Sequence, residues 1–123
     1  MATILIVDDE EGFRHILQVV LQRAGHQIAA AGDAFEAQAI IQQNAPDLVI
    51  LDDMMPGMSG SDLCLQIKSD PHLQHIPVIM HSANPKLHNK AFVESIGADG
   101  VLLKPTTPRD VTAAVASILR ANV

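Results

Sequence analysis

The chain offers almost no aromatic surface: no Trp, no Tyr and three Phe in 123 residues. Single-stranded nucleic acid is held by stacking bases on aromatic rings over a basic groove, and this sequence supplies neither rings nor groove. Eight Lys and Arg stand against fourteen Asp and Glu, a net charge of −6. That is the wrong sign for a phosphate-backbone binder, and the basic residues do not cluster. The one cysteine, Cys64, has no partner for an internal disulfide, which fits a reducing compartment. The longest apolar runs are a few residues, far below the ~20 that span a bilayer, and the N-terminus lacks a basic-then-apolar signal pattern. These absences predict a cytoplasmic chain with no direct nucleic-acid and no membrane partner. The length suits one domain, residues 1–123, able to bury a core of its own.

What is present is an alternation. Apolar runs of strand length and segments of helical period follow one another five times, the pattern of an α/β fold. Ile4 to Val7 and Leu48 to Leu51 are unbroken, as strands covered on both faces of a parallel sheet are. Ile28 to Ala31, Val78 to Met80 and Val101 to Leu103 supply three more strands. Phe13, Ile16, Leu17, Val20, Leu21 and Ala24 recur at i, i+3, i+4, i+7 and predict a first helix closed at Gly25. Asp33 with Glu36 reads as a capping box opening a second helix, ended by Asn44, Ala45 and Pro46. A third helix is predicted over Gly60 to Lys68 and a fourth over Lys86 to Ile96, stopped by Gly97. In the fifth, Thr107 caps, Pro108 opens the first turn, Asp110 completes the box, and Val111, Ala114, Val115, Ile118 and Leu119 form the buried stripe.

A parallel α/β sheet carries its chemistry at the carboxyl ends of its strands. Here those ends are polar: Asp8 and Asp9 after the first strand, Asp52 and Asp53 after the third, Ser82 after the fourth, Lys104 and Pro105 after the fifth. Right-handed crossovers bring neighbouring ends to one rim. Carboxylates gathered there repel one another unless a cation sits among them, and oxygen ligands suit Mg²⁺ or Mn²⁺. Lys104 can pair with a carboxylate at rest and with a phosphoryl oxygen later, and Ser82 can donate one hydrogen bond to the same oxygen. A carboxylate nucleophile, a divalent metal, a fixed cation and a hydroxyl make an aspartyl-phosphate site.

The string Leu51-Asp52-Asp53-Met54-Met55-Pro56-Gly57 closely resembles the phosphoacceptor segment of response-regulator receiver domains, where the Asp precedes two variable residues and Met-Pro-Gly. The acid pair Asp8 and Asp9, Ser82-Ala83, the run Gly97 to Asp99 and Lys104-Pro105 follow in family order, so the resemblance covers essentially the whole chain. It implies a doubly wound, flavodoxin-like (βα)5 fold with a five-stranded parallel sheet in order 2-1-3-4-5. It further implies Asp52 as phosphoacceptor, with Asp8, Asp9, Asp52 and the Met54 backbone carbonyl holding Mg²⁺ or Mn²⁺, Asp8 through a metal-bound water. Ser82 and Lys104 would contact the phosphoryl oxygens, and the Lys104-Pro105 bond would be cis. The implied partners are a sensor histidine kinase or phosphotransfer protein as donor and a downstream protein on the face of the fourth helix, fifth strand and fifth helix, with a homodimer as an option. The domain would gain and hydrolyse its own acyl phosphate, turning over no separate substrate. The resemblance is compatible with a stand-alone regulator and with a receiver belonging to a transcription factor or hybrid kinase.

Asp53 competes with Asp52 on paper. Only Asp52 leaves two residues before Met55-Pro56, and strand alternation turns Asp53 to the other side, as a solvated or helix-capping acid with at most a weak electrostatic effect. Val101 departs from the family pattern, which places Tyr or Phe three residues before the lysine; without a ring to rotate, the signal is expected to pass through the Ser82 to Asn84 loop and the fourth helix. His81 stands where an aliphatic residue is usual and reads as packing, with pH sensing as the alternative. His72 and His75 lack the further ligands of a zinc site, and Cys64, beside Leu63 and Ile67, reads as packing. Two other classes of protein would want different residues here. A dehalogenase-like aspartyl-phosphate phosphatase would want a second Asp two residues after the nucleophile, where Met54 stands, and a cap domain. A flavodoxin-like electron carrier would want a Ser/Thr/Gly-rich phosphate loop where Asp8, Asp9, Glu10 and Glu11 stand.

Overall fold

The computed structural model describes residues 2–121. Among these, the strands β1 Thr3–Val7, β2 Gln27–Ala31, β3 Leu48–Leu51, β4 Val78–Ser82 and β5 Gly100–Leu103 alternate with the helices α1 Glu11–Arg23, α2 Ala34–Gln43, α3 Gly60–Ser69, α4 Lys90–Ile96 and α5 Pro108–Ala121. The strands pair in parallel in the order β2-β1-β3-β4-β5, the topology that the sequence resemblance implies.

The central strands are apolar throughout because both their faces are covered. Successive side chains point to opposite faces, so Leu5, Val7, Val49, Leu51, Val78 and Met80 pack with residues of α2, α3 and α4. Ile4, Ile6, Leu48, Ile50 and Ile79 pack with α1 and α5. Each fully buried Ile or Leu contributes about 1.5–3 kcal/mol, which is why the sheet centre forms a rigid platform for the polar residues at its carboxyl rim.

Helix signals act as their chemistry dictates. The Asp33 carboxylate accepts from Glu36 N–H at 2.8 Å; Thr107 and Asp110 exchange both bonds of their box at 3.1 Å. Gly25 and Gly97 close α1 and α4 with φ of 98° and 77°, left-handed values that a Cβ disfavours.

Three expectations need correction. β4 runs past Met80 through His81 and Ser82, which pair with Leu102 and Leu103, because ladder bonds belong to the backbone and tolerate polar side chains. The segment expected as one helix over Lys86 to Ile96 is a 3₁₀ turn, Pro85–His88, followed by α4. Asn84 and Asn89 each cap a new start, accepting from Lys86 N–H and Phe92 N–H at 3.0 and 3.2 Å, and a capping side chain at Asn89 requires extended backbone there. Ile16, one of the residues at helical period in the first helix, is 51% exposed rather than packed. No helix among the described residues is long and apolar enough to cross a membrane.

Candidate functional site

The carboxyl ends of β1, β3, β4 and β5 bring Asp8, Asp52, Ser82 and Lys104 together. β1 ends one residue before Asp8, and β3 one residue before Asp52, with Val7 and Leu51 in register. Lys104 Nζ lies 2.9 Å from Asp8 Oδ2, 3.5 Å from Asp52 Oδ2 and 4.0 Å from Glu10 Oε1. It also sits 4.3 Å from the centre of the Phe13 ring, a cation–π contact at the first turn of α1. The Asp8 and Asp52 side chains are almost fully buried, so their charges are poorly hydrated and depend on these partners.

The acceptor candidate is balanced between opposing influences. Burial raises the Asp52 pKa above the carboxylate value of 3.8, and Asp8 pushes the same way; the hydrogen bond from Ser82, the charge of Lys104 and the Met54 N–H pull it down, leaving it raised. Burial on its own lowers the Lys104 pKa, but its bond to Asp8 and the charges of Asp52, Asp8 and Glu10 outweigh that and hold it above the usual lysine value. The lysine is therefore a permanent cation.

Carboxylate oxygens of Asp8, Asp9 and Glu10 lie within 4.8 Å of one another, Asp8 buried and the other two exposed. An all-oxygen group of this charge, open on one side to water, fits Mg²⁺ or Mn²⁺. Asp8 Oδ1 also accepts from Glu10 N–H at 2.9 Å, and Arg14 donates to the Asp8 carbonyl at 2.7 Å, fixing the loop. Met54 follows the acceptor on the next loop, its N–H donating to Asp52 Oδ1 at 3.3 Å. Lys104-Pro105 is cis.

Asp53 turns away from this group, as alternation requires. It is 5% exposed and accepts from the Ser61 N–H and hydroxyl at 2.7 and 2.5 Å, so it caps α3 but is not solvated. The approach is close: a Cβ on Gly60 would fall 2.0 Å from the Asp52 carbonyl oxygen, so only glycine fits at the start of that helix. His81 is buried, with Nε2 paired to Thr106 Oγ1 at 2.7 Å and its ring edge-on to Phe13. Burial, with the Lys104 charge, lowers its pKa from 6.5 to about 4, so it is neutral near pH 7 and a packing residue there. Cys64 is buried, with burial pushing its thiol up to about 12. His72 and His75 lie exposed on a turn.

Three contributors escaped the sequence reading. Glu10 lay in an acidic loop whose members were not distinguished, Phe13 looked like one more residue of a helical stripe, and Thr106 carried no signal at all.

A parallel sheet whose rim gathers a buried carboxylate, an acidic oxygen cluster, a lysine and a hydroxyl has the arrangement expected of a phosphoryl-accepting switch. Comparison with known proteins agrees. Residues 4–116 match the family model described as the response regulator receiver domain, and the chain belongs to that family of two-component signalling. It is 40% identical over 118 residues to the phosphate regulon transcriptional regulatory protein PhoB of Pseudomonas aeruginosa, covering 96% of this chain and 52% of that protein. It is 37% identical to the alkaline phosphatase synthesis transcriptional regulatory protein PhoP of Bacillus subtilis, covering 95% and 48%. The chain thus spans about half the length of these relatives. Among solved structures it is similar to the chemotaxis protein CheY4 of Vibrio cholerae, with a TM-score of 0.88, 29% identity and coverage of 95% and 98%. A putative response regulator of Chloroflexus aurantiacus gives a TM-score of 0.89, 33% identity and coverage of 97% and 98%.

Proposed function

We propose that residues 1–123 form one receiver domain that accepts a phosphoryl group on Asp52 from the phosphohistidine of a sensor histidine kinase or phosphotransfer protein. The observation that carries this reading is Lys104 Nζ placed between Asp8 and Asp52, with Ser82 close enough at the end of β4 to pull the Asp52 pKa down. An Asp52 oxygen attacks phosphorus, a P–O bond forms as the donor's P–N bond breaks, and the departing imidazole takes a proton from water. Lys104 turns from Asp52 to a phosphoryl oxygen, and Ser82 donates to another; both are already in place, so little reorganisation is needed. Asp8, Asp9, Asp52 and the Met54 carbonyl, with Glu10 close by, would hold Mg²⁺ or Mn²⁺. That ion supplies neutralisation of the phosphoryl charge.

The added dianion pulls on β4 and β5 and biases a two-state surface of α4, β5 and α5, where a downstream protein or a second copy would dock. The setting is the cytoplasm. Val101, half-buried beside Met80, has no ring to rotate, so the Ser82 to Asn84 loop and α4 carry the change; a structure with a phosphoryl mimic in which these segments stay fixed would refute that route. For the site itself, the parent and Asp52→Asn are incubated with a small phosphodonor and Mg²⁺ and weighed intact. The parent gains one phosphoryl group and the variant none; phosphorylation surviving in the variant, with Asp53 unmodified, would overturn the assignment.

A further inference from the structure

Asp53 takes no part in the chemistry above, yet both its oxygens are engaged. Oδ1 holds Ser61 at the start of α3, and Oδ2 accepts from the side-chain amide of Asn84. Asn84 lies two residues past Ser82. Its backbone N–H donates to Ser82 Oγ at 3.3 Å, its own Oδ1 accepts from Lys86 N–H at 3.0 Å, and Ser82 lies close enough to the Asp52 carboxylate to pull its pKa down. A chain of hydrogen bonds thus leaves the end of β3 at Asp53, crosses to Asn84 and reaches Ser82, whose hydroxyl neighbours Asp52.

The direction of that chain matters. A serine hydroxyl has one proton to give and lone pairs to receive. With a lone pair of Ser82 occupied by the Asn84 N–H, its one proton is left for another acceptor, and the Asp52 carboxylate is its neighbour. The Asn84 N–H is held where it is by the Asn84 side chain, and that side chain is anchored on a carboxylate, a charge-assisted bond of roughly twice the usual strength. We infer that Asp53 is a positioning residue for phosphoryl acceptance: by anchoring Asn84 it fixes the N–H that orients the Ser82 hydroxyl onto Asp52. The inference rests on the phosphoacceptor reading of Asp52. The second role of Asp53, capping α3 through Ser61, is separate, and the two can be told apart.

The variant that separates them is Asp53→Asn. Its side-chain oxygen is claimed by the Ser61 N–H, so its amide faces the Asn84 amide, donor against donor; the anchor is lost and the cap kept. The rate of phosphoryl gain from a small phosphodonor with Mg²⁺ is followed by intact mass in the parent, Asp53→Asn, Ser82→Ala and the double variant, alongside the unfolding midpoint of each. Asp53→Asn is expected to slow the gain roughly fivefold, the weight of one ordinary hydrogen bond, and to slow it no further once Ser82 is alanine. Asp53→Ala is expected to slow it likewise and also to lower the midpoint; in the Ser82→Ala background the kinetic effect vanishes while the lower midpoint persists. Slowing by the same factor in both backgrounds, or none in Asp53→Asn, overturns the inference while leaving Asp52 as acceptor. A parent that gains no phosphoryl group removes the reading of Asp52 and the role of Asp53 together.

Discussion

Two lysine–aspartate pairs stand at opposite ends of the sheet. At the carboxyl rim Lys104 meets Asp8 at 2.9 Å; at the amino rim Lys68 meets Asp99 at 2.7 Å. By distance they are alike, but their surroundings are not. Lys68 also donates to the carbonyls of Ile76 and Gln74, and Asp99 accepts from Val78 N–H, so that pair is closed by backbone and ties α3 to the entrances of β4 and β5. Lys104 instead shares its charge among Asp8, Asp52 and Glu10, with Asp9 close to the acidic group. Four carboxylates exceed the cations beside them, the complement of a divalent ion. One pair is a clamp, the other an open site.

The comparison breaks first at Lys104. Lys104→Met is expected to slow phosphoryl gain roughly a hundredfold, the usual loss when one preorganised charged donor is removed; a rate near the parent's would mean that the open site does not work through its lysine. Next comes His81, whose burial, with the Lys104 charge beside it, depresses its pKa to about 4. The fold prefers the neutral ring, so its contribution is complete above the ordinary value of 6.5 and is lost as pH falls from there toward 4. Denaturant titrations should find the parent losing about 2 kcal/mol more than His81→Leu between pH 7 and 4.5. Equal losses would deny the depressed pKa.

Smaller effects distinguish the two ends by metal and by stability. Mg²⁺ at ten times its dissociation constant should raise the stability of the parent by about 1.4 kcal/mol, and Asp9→Asn should remove most of that in thermal melts; an unchanged shift would place the ion elsewhere. Lys68→Met should cost about 1 kcal/mol, since Asp99 is open to water and the pair is partly screened, and leave the phosphorylation rate untouched. A slowed rate there would show that the clamp reaches the site.

Much of this was legible in the residues. The unbroken runs Ile4 to Val7 and Leu48 to Leu51 required a sheet buried on both faces, and the polar residues closing the strands named Asp8, Asp52, Ser82 and Lys104 before any geometry. What stayed hidden depended on approach rather than on type. Phe13 fits a helical stripe whether or not an ammonium lies over it, and a second acid beside Asp52 does not disclose that it reaches Asn84, 31 residues on. The break before α4 was missed because two asparagines compete with the helix for its own N–H groups, and periodicity does not register that competition.

Gly60 carries a consequence for how the domain can give way. Where even a methyl group would strike the backbone of Asp52, the acceptor end of β3 and the whole of α3 have no clearance to slide and must travel as one solid piece. On the phosphoacceptor reading, any give at the rim is then expected on the far side, where Ser82 and Lys104 hang from β4 and β5.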